Sequence, residues 1–175
     1  SIIRHLEKIE IEPKLIPEGL KEASQVQIIE NWADTTLAKS IKIVFLEELS
    51  KNPKLISSLF SNKISDSMQK PLFNIPTKIA SQISGLINQK EKESLKLNLE
   101  NLSNLINQEN FLIGDKLSIA DISVASHLSL LKFPNSSGEN LTGQGCSIYV
   151  NDPSLQNLFK WRDFIEDQLA ITNHH

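Results

Sequence analysis

The stretch from Phe111 to Ile122, FLIGDKLSIADI, constrains the fold more than any other part of this sequence. Gly114 marks a turn, and a helix begins a few residues later with Ser118 at its N-cap position. There the Ser118 hydroxyl can accept from the backbone N–H of Asp121, and the Asp121 carboxylate can accept from the N–H of Ser118. This pairing is a capping box, and it occupies the carboxylate. We therefore interpret Ser118 and Asp121 as structural residues rather than catalytic ones.

The apolar residues of the remaining chain recur mostly at helical spacing. Val26, Ala33, Leu37 and Ile41, for example, fall on one side of a helix. The spacing predicts helices over residues 2–10, 22–50, 72–107, 118–131 and 153–169, with a shorter helix that begins at Asn52-Pro53. Residues 132–151 are rich in Gly, Ser and Asn and are predicted to form a long loop. Because no strand-like alternation of useful length occurs, the sequence predicts an all-α fold.

Composition and charge exclude several classes of function. The chain has 175 residues, of which 39% are hydrophobic and 22% are charged, and this suits one globular domain with a real core. The formal net charge of −3 provides no basic surface for nucleic acid. No window approaches the roughly 18 consecutive apolar residues that a membrane span needs. A single cysteine cannot form an internal disulfide, so we expect a reducing, cytoplasmic location.

Three stretches of the sequence resemble parts of one family, the cytosolic glutathione S-transferases. The capping-box stretch resembles the segment that opens the central helix of the family's C-terminal domain. SIIRHLEK at residues 1–8, followed by EPKLIP at 12–17, resembles the last helix of the thioredoxin-like domain and the interdomain linker. DPSL at 152–155, followed by LFKWRDF at 158–164, resembles the late helix that closes the helical domain. The stretches occur in the family's order.

The resemblance implies a glutathione S-transferase C-terminal-like helical bundle, preceded by a remnant helix of a thioredoxin-like domain. It divides the chain into the remnant helix and linker at residues 1–20, a helical C-terminal domain at 21–170 and a disordered tail at 171–175. His174 and His175 are interpreted as the stub of a purification tag.

The resemblance also implies a function for the full-length protein. The family activates glutathione with a Tyr, Ser or Cys early in the thioredoxin-like domain, and this sequence is expected to begin after that residue. We therefore expect no catalytic residue in this chain, glutathione bound by an upstream domain, and a small apolar electrophile bound beside the helical domain for conjugation or thiol transfer. A homodimer is implied as well. The alternative is a non-catalytic module that docks partner proteins, because helical domains of this kind also occur in translation-factor and synthetase complexes.

Trp32, Thr36 and Lys39 are the candidates for a substrate pocket. In the resembled family the first long helix lines the cleft where the electrophile binds. Spacings of three and four residues could place these side chains on one side of that helix. The alternative is that Trp32 packs at a domain or dimer contact and that Lys39 is only solvated.

Cys146 and His127 are the other residues whose side chains could be reactive. Cys146 lies in a glycine-rich loop where a thiol could be accessible, but no neighbouring His or Lys lowers its pKa, so an unreactive thiol is expected. His127 is expected to be buried and hydrogen-bonded rather than to bind a ligand. Because no second His or Cys lies at metal-binding spacing, the sequence predicts no metal site.

Overall fold

The computed structural model describes residues 14–60, 89–106 and 109–172. Within these ranges the helices are α1 (Leu20–Trp32), α2 (Ala38–Lys51), α3 (Pro53–Phe60), α4 (Gln89–Ile106), α5 (Ile119–Leu128), α6 (Ser147–Val150) and α7 (Gln156–Thr172). This part of the chain contains no strand, which confirms the predicted all-α fold. The predicted helix at 2–10 and the residues of the 72–107 helix that precede Gln89 lie outside the described residues.

A π-helical turn joins α1 to α2 and makes them one long helix. The turn covers Ala33–Leu37, and the N–H of Ala38 donates to the carbonyl of Ala33, five residues back. The predicted single helix at 22–50 is therefore correct in extent but contains a turn with one additional residue. Helical spacing of the apolar residues gave no indication of this turn, because they keep an ordinary helical period across it.

Helix α5 lies at the centre of the described bundle. It is apolar on most sides and packs against α7, α1, the π turn and α2. The side chains that it shares with its neighbours in the core are fully buried, as for Val124 and Leu128 of α5, Leu37 of the π turn, and Ile165 of α7. This central position explains why most of α5 is apolar and buried, with Ser126 as its exposed residue.

The N-terminus of α5 is held by side-chain and backbone hydrogen bonds. Ser118 and Asp121 form the capping box, in which the Ser118 N–H donates to Asp121 Oδ2 at 2.9 Å. The Ser118 hydroxyl donates to the same oxygen at 2.6 Å, and the Leu112 N–H donates to Asp121 Oδ1 at 2.7 Å. The N–H of Ile119, which has no partner inside the helix, donates to the carbonyl of Leu15 at 3.0 Å. The segment before α1 is thereby tied to the start of α5.

Ion pairs to a buried carboxylate on α2 include one that joins α2 to α4. Glu47 is 6% exposed, and its carboxylate lies 2.8 Å from the ammonium of Lys92 on α4. Lys51, one turn further along α2, contacts the same carboxylate at 2.5 Å. A buried carboxylate needs such partners, because an unpaired charge is costly away from water.

Two predicted boundaries after α5 are wrong. The helix predicted at 118–131 ends at Leu128, because the Leu131 N–H donates to the Leu128 carbonyl in a tighter turn and the chain then changes direction. The loop predicted at 132–151 is not wholly irregular: Lys132 and Gly145 form an antiparallel bridge, and α6 follows it. The bridge brings Leu131 and Cys146 side by side, and both are fully buried.

The last helix also differs from the prediction at both ends. Pro153–Leu155 form a short 3₁₀ turn, and α7 then continues to Thr172 instead of ending at 169. The Asp152 carboxylate accepts from the Ser154 N–H at 3.0 Å and caps the turn, as expected where proline occupies the first helical position. Ile171 and Thr172 therefore belong to α7 and not to a tail.

Candidate functional site

The three predicted pocket residues lie at the junction of α1, the π turn and α2. Trp32 is partly buried and packs against the main hydrophobic core, whereas Thr36 and Lys39 are exposed. The π turn lies between Trp32 and Lys39 and carries one more residue per turn than an α-helix. It therefore rotates Lys39 away from the line on which regular helical spacing would place it.

A polar cluster that the sequence did not predict lies beside these residues, and we call it the Asp34 clasp. Asp34 is part of the π turn, and its Oδ1 accepts a 2.5 Å hydrogen bond from the hydroxyl of Ser123. The Nε2 atom of His127 lies 3.2 Å from the same oxygen. Ser123 and His127 are one turn apart on α5, so both side chains reach one carboxylate. The Asp34 clasp thus fastens the π turn to the central helix.

The electrostatics of the Asp34 clasp favour an ionised carboxylate. The hydrogen bond from Ser123 is the largest effect and lowers the pKa of Asp34 below its ordinary value. Desolvation opposes it, and the contact with His127 and the charge of Lys42 lower the pKa further. The side chain of Asp34 is 57% exposed and that of His127 is 18% exposed. His127 is therefore hydrogen-bonded, as expected, but only partly buried.

The geometry of the Asp34 clasp is not that of a nucleophile–base pair. In a serine hydrolase triad the hydroxyl donates to the imidazole, which can then remove its proton. Here the Ser123 hydroxyl donates to the carboxylate instead, and the imidazole contacts the same carboxylate oxygen. The cluster can hold two elements together, but it does not activate Ser123.

The partners in this cluster are far apart in the sequence, which is why local patterns did not reveal them. Ser123 is 89 residues from Asp34, and His127 is 93 residues from it. The one local signal was the spacing of four residues between Ser123 and His127 on a helix predicted to be central. That spacing shows that the two side chains lie on the same side of the helix, but it does not identify the residue of another element that they contact.

Cys146 is inaccessible, which rules out the reactive-thiol alternative. The side chain is fully buried in the main core, and burial raises the pKa of the thiol to about 12, with the nearby carboxylates of Glu48 and Glu47 adding to the effect. Its Sγ lies 3.7 Å from the Leu130 carbonyl. A thiol with so high a pKa forms almost no thiolate at neutral pH, so it is not a nucleophile.

Two open grooves lie on the surface of the described residues. One groove of about 350 Å³ runs along α1 and is lined by Ser24, Gln27, Ile28 and Asn31. Another of about 530 Å³ lies against α4 and is lined by Asn101, Asn104, Leu105 and Glu109. Within the described ranges no group of three or more His, Cys, Asp or Glu side chains could hold a metal ion. None of the helices in those ranges is long and apolar enough to cross a membrane.

Comparison with known proteins places these observations in a family. The chain is similar to FtsZ-localized protein A of Caulobacter vibrioides, with 23% identity over 133 residues that cover 76% of this chain and 48% of that protein. The chain therefore spans about half the length of this curated relative. No solved structure gives a significant match. The family model for the glutathione S-transferase C-terminal domain matches residues 79–170, which is more than half of the chain. This chain belongs to the glutathione S-transferase C-terminal domain family.

Proposed function

We propose that this chain is the substrate-side helical domain of a glutathione transferase-like protein. The observation that carries the proposal is the family match over residues 79–170, which includes α4, α5 and nearly all of α7. In this proposal the helical domain begins at residue 21 and continues through residue 170 to the end of α7 at Thr172, and residues 1–20 connect it to a thioredoxin-like domain that binds glutathione. The full-length protein acts in the cytoplasm as a homodimer.

The helical domain contributes binding surface rather than a nucleophile. Trp32 supplies apolar contact area for a small electrophile, while Thr36 and Lys39 supply a hydroxyl and a cation at the edge of the same region. Holding the electrophile beside a glutathione thiolate raises the rate by proximity, so the helical residues affect catalysis without reacting themselves. The partial exposure of Trp32 leaves part of its ring available for this contact.

The first test is retention on glutathione-agarose of this chain beside the full-length protein. We expect the full-length protein to be retained and this chain to flow through, because the glutathione site lies in the other domain. If the full-length protein also flows through, the transferase proposal is wrong.

A second test asks whether Trp32 belongs to the electrophile site. In the full-length protein, Trp32→Ala should raise KM for an apolar electrophile about tenfold, the cost of one lost apolar contact surface, and leave glutathione retention unchanged. Asp115→Ala, at an exposed turn, is the matched control and should change neither quantity. An unchanged KM for Trp32→Ala would remove Trp32 from the site.

A non-catalytic docking module is the second candidate, and two observations favour it. The curated relative is named for its localisation with FtsZ. Several large apolar side chains are exposed on the described helices, among them Ile28 at 67% and Leu105 at 65%, and the grooves beside them are open.

Co-sedimentation of the full-length protein with purified FtsZ tests this candidate. Co-sedimentation without glutathione retention would favour docking, and the reverse result would favour the transferase.

A further inference from the structure

The π turn at Ala33–Leu37 is the one place in the long helix where the backbone leaves α geometry. Turns of this kind are rare, and they occur often at functional positions. Ala33 and Ala38, at the two ends of the turn, are both fully buried and small. A shift of the turn by one residue would bring a larger neighbouring side chain to these buried positions, so the packing of the core already opposes a change in helical register.

The two halves of the long helix are anchored unequally. α2 buries Ala38, Ile41 and Val44 and is joined to α4 through Glu47, whereas α1 buries only Val26 and Glu30 among its described residues. A change in the position of the π turn would therefore be taken up mainly by α1, and Trp32 is the last residue of α1.

The Asp34 clasp adds a polar restraint to the restraint that core packing provides. Among the described contacts of the π turn, Asp34 provides the side-chain hydrogen bonds to another element, while the Thr35 hydroxyl bonds back to Asn31 on the same helix. If the π turn moved by one residue, Asp34 would rotate about the helix axis and would lose both Ser123 and His127. The hydrogen bonds to one carboxylate oxygen therefore oppose any shift in register.

We propose that the Asp34 clasp is a register lock within the long helix. When Asp34 is bound to Ser123 and His127, the π turn stays at Ala33–Leu37. When Asp34 is released, the turn moves along the helix, and α1 rotates relative to α5 and carries Trp32 to a new environment. The lock does not depend on whether the full-length protein is a transferase or a docking module.

Fluorine NMR of the 175-residue chain labelled with fluorotryptophan tests the lock directly. The chain has two tryptophans, so Trp32 and Trp161 give separate resonances without further substitution. In Asp34→Ala the Trp32 resonance should shift or split, while Trp161, which is buried and donates to the Asn110 carbonyl, should not move. Amide hydrogen exchange of residues 33–38 should rise at least about tenfold in the same variant. Thr35→Ala is the matched control, because Thr35 is the adjacent residue and bonds only within its own helix.

Ser123→Ala and His127→Ala are the second set of variants, and each keeps the carboxylate and removes one of its hydrogen-bond partners. Both should change the Trp32 resonance in the same direction as Asp34→Ala, by a smaller amount. Equal shifts of Trp32 and Trp161 in these variants would mean general loosening of the fold and would overturn the proposal. Exchange rates at residues 33–38 that stay within about twofold of wild type would overturn it too, because packing alone would then hold the turn.

Discussion

At the scale of single residues, Asp121 connects several backbone and side-chain groups at the start of α5. Its carboxylate is fully buried and accepts from the Ser118 N–H, the Ser118 hydroxyl and the Leu112 N–H. Burial raises the pKa of Asp121, and these hydrogen bonds oppose that rise. The carboxylate therefore joins the cap of α5 to the preceding turn and provides the acceptor for donors at this buried position.

Replacing this carboxylate should destabilise the fold strongly. Asp121→Ala leaves these buried donors without an acceptor, and we expect the free energy of unfolding to fall by about 3 kcal/mol or more. Urea denaturation followed by circular dichroism measures the change. Asp115→Ala, six residues earlier in an exposed turn, should cost less than about 0.5 kcal/mol. A loss of less than about 1 kcal/mol for Asp121→Ala would show that water or a rearranged turn replaces the carboxylate.

The buried side chains of Cys146 and Tyr149 should make the folded protein less stable at alkaline pH. Burial raises the pKa of Cys146 from 9.0 to about 12 and that of Tyr149 from 10.0 to about 12. Above pH 9 the unfolded chain loses protons that the folded chain keeps, so the free energy of unfolding should fall as the pH rises towards 12. Each group contributes a slope of up to about 1.4 kcal/mol per pH unit.

Denaturation across the pH range from 8 to 11 in about one-unit steps measures this slope. Tyr149→Phe should flatten the slope above pH 10, because it removes one of the two groups. Tyr149 is the only tyrosine in the chain, so the absorbance of tyrosinate reports its ionisation directly. Ionisation of Tyr149 near its ordinary pKa of 10.0 in the folded protein would contradict the prediction.

The role of a residue could be predicted from the sequence where its hydrogen-bond partners lie within a few residues of it. The capping box joins residues three apart, and the preference of Ser for N-caps identifies it without a structure. The Leu112 N–H as a further donor to Asp121, and the whole Asp34 clasp, depend on how helices and loops pack. No local pattern encodes that packing, so the sequence placed Asp34 and His127 on helices but did not pair them.

At the scale of elements, the segment between α5 and α6 depends on close backbone contact at Gly145. Its φ is +154°, and a Cβ atom there would overlap the carbonyl group of Leu131. The Cys146 N–H donates to that carbonyl at 2.8 Å, so the two segments cannot separate without losing the hydrogen bond. Gly143 also has a positive φ of +75°, but a Cβ atom there would meet open space.

The two glycines make a matched pair of variants. Gly145→Ala should lower the free energy of unfolding by more than about 3 kcal/mol, because backbone atoms on both sides must move. Gly143→Ala should cost only the conformational penalty of about 1–2 kcal/mol. Thermal denaturation of both variants measures the difference. Equal losses would mean that strain in φ, rather than the contact with Leu131, dominates at both positions.

Helix extents were predictable for physical reasons that do not apply to the irregular elements. The long helix follows from its apolar spacing, and α7 follows from apolar spacing and from Pro153 just before it. The observed ends differ from the predicted ones by a few residues. The π turn keeps the same apolar stripe as an α-helix, and α6 is only four residues long. Neither gives a periodic signal long enough to detect.

At the scale of the whole molecule, the single thiol reports on global unfolding. Cys146 is the only cysteine and lies in the same core cluster as residues of α2, α4, α5 and α7. We expect iodoacetamide to modify it only when this core opens, so the logarithm of the labelling rate should rise with urea along the global unfolding slope. Denatured chain, which exposes the thiol fully, is the control for the intrinsic rate. Fast labelling in native buffer would show local opening near α6 instead.

The tie between the first described segment and the central helix has a mechanical consequence. The backbone carbonyl of Leu15 accepts a hydrogen bond from the N–H of Ile119. The side chains of Leu15 and Ile16 pack against the hydrophobic cluster that contains Ile119. A pulling force applied through the residues that precede Lys14 would therefore reach the start of α5 before it reached α1. The central helix α5, rather than α1, would be the first of the described helices to bear tension.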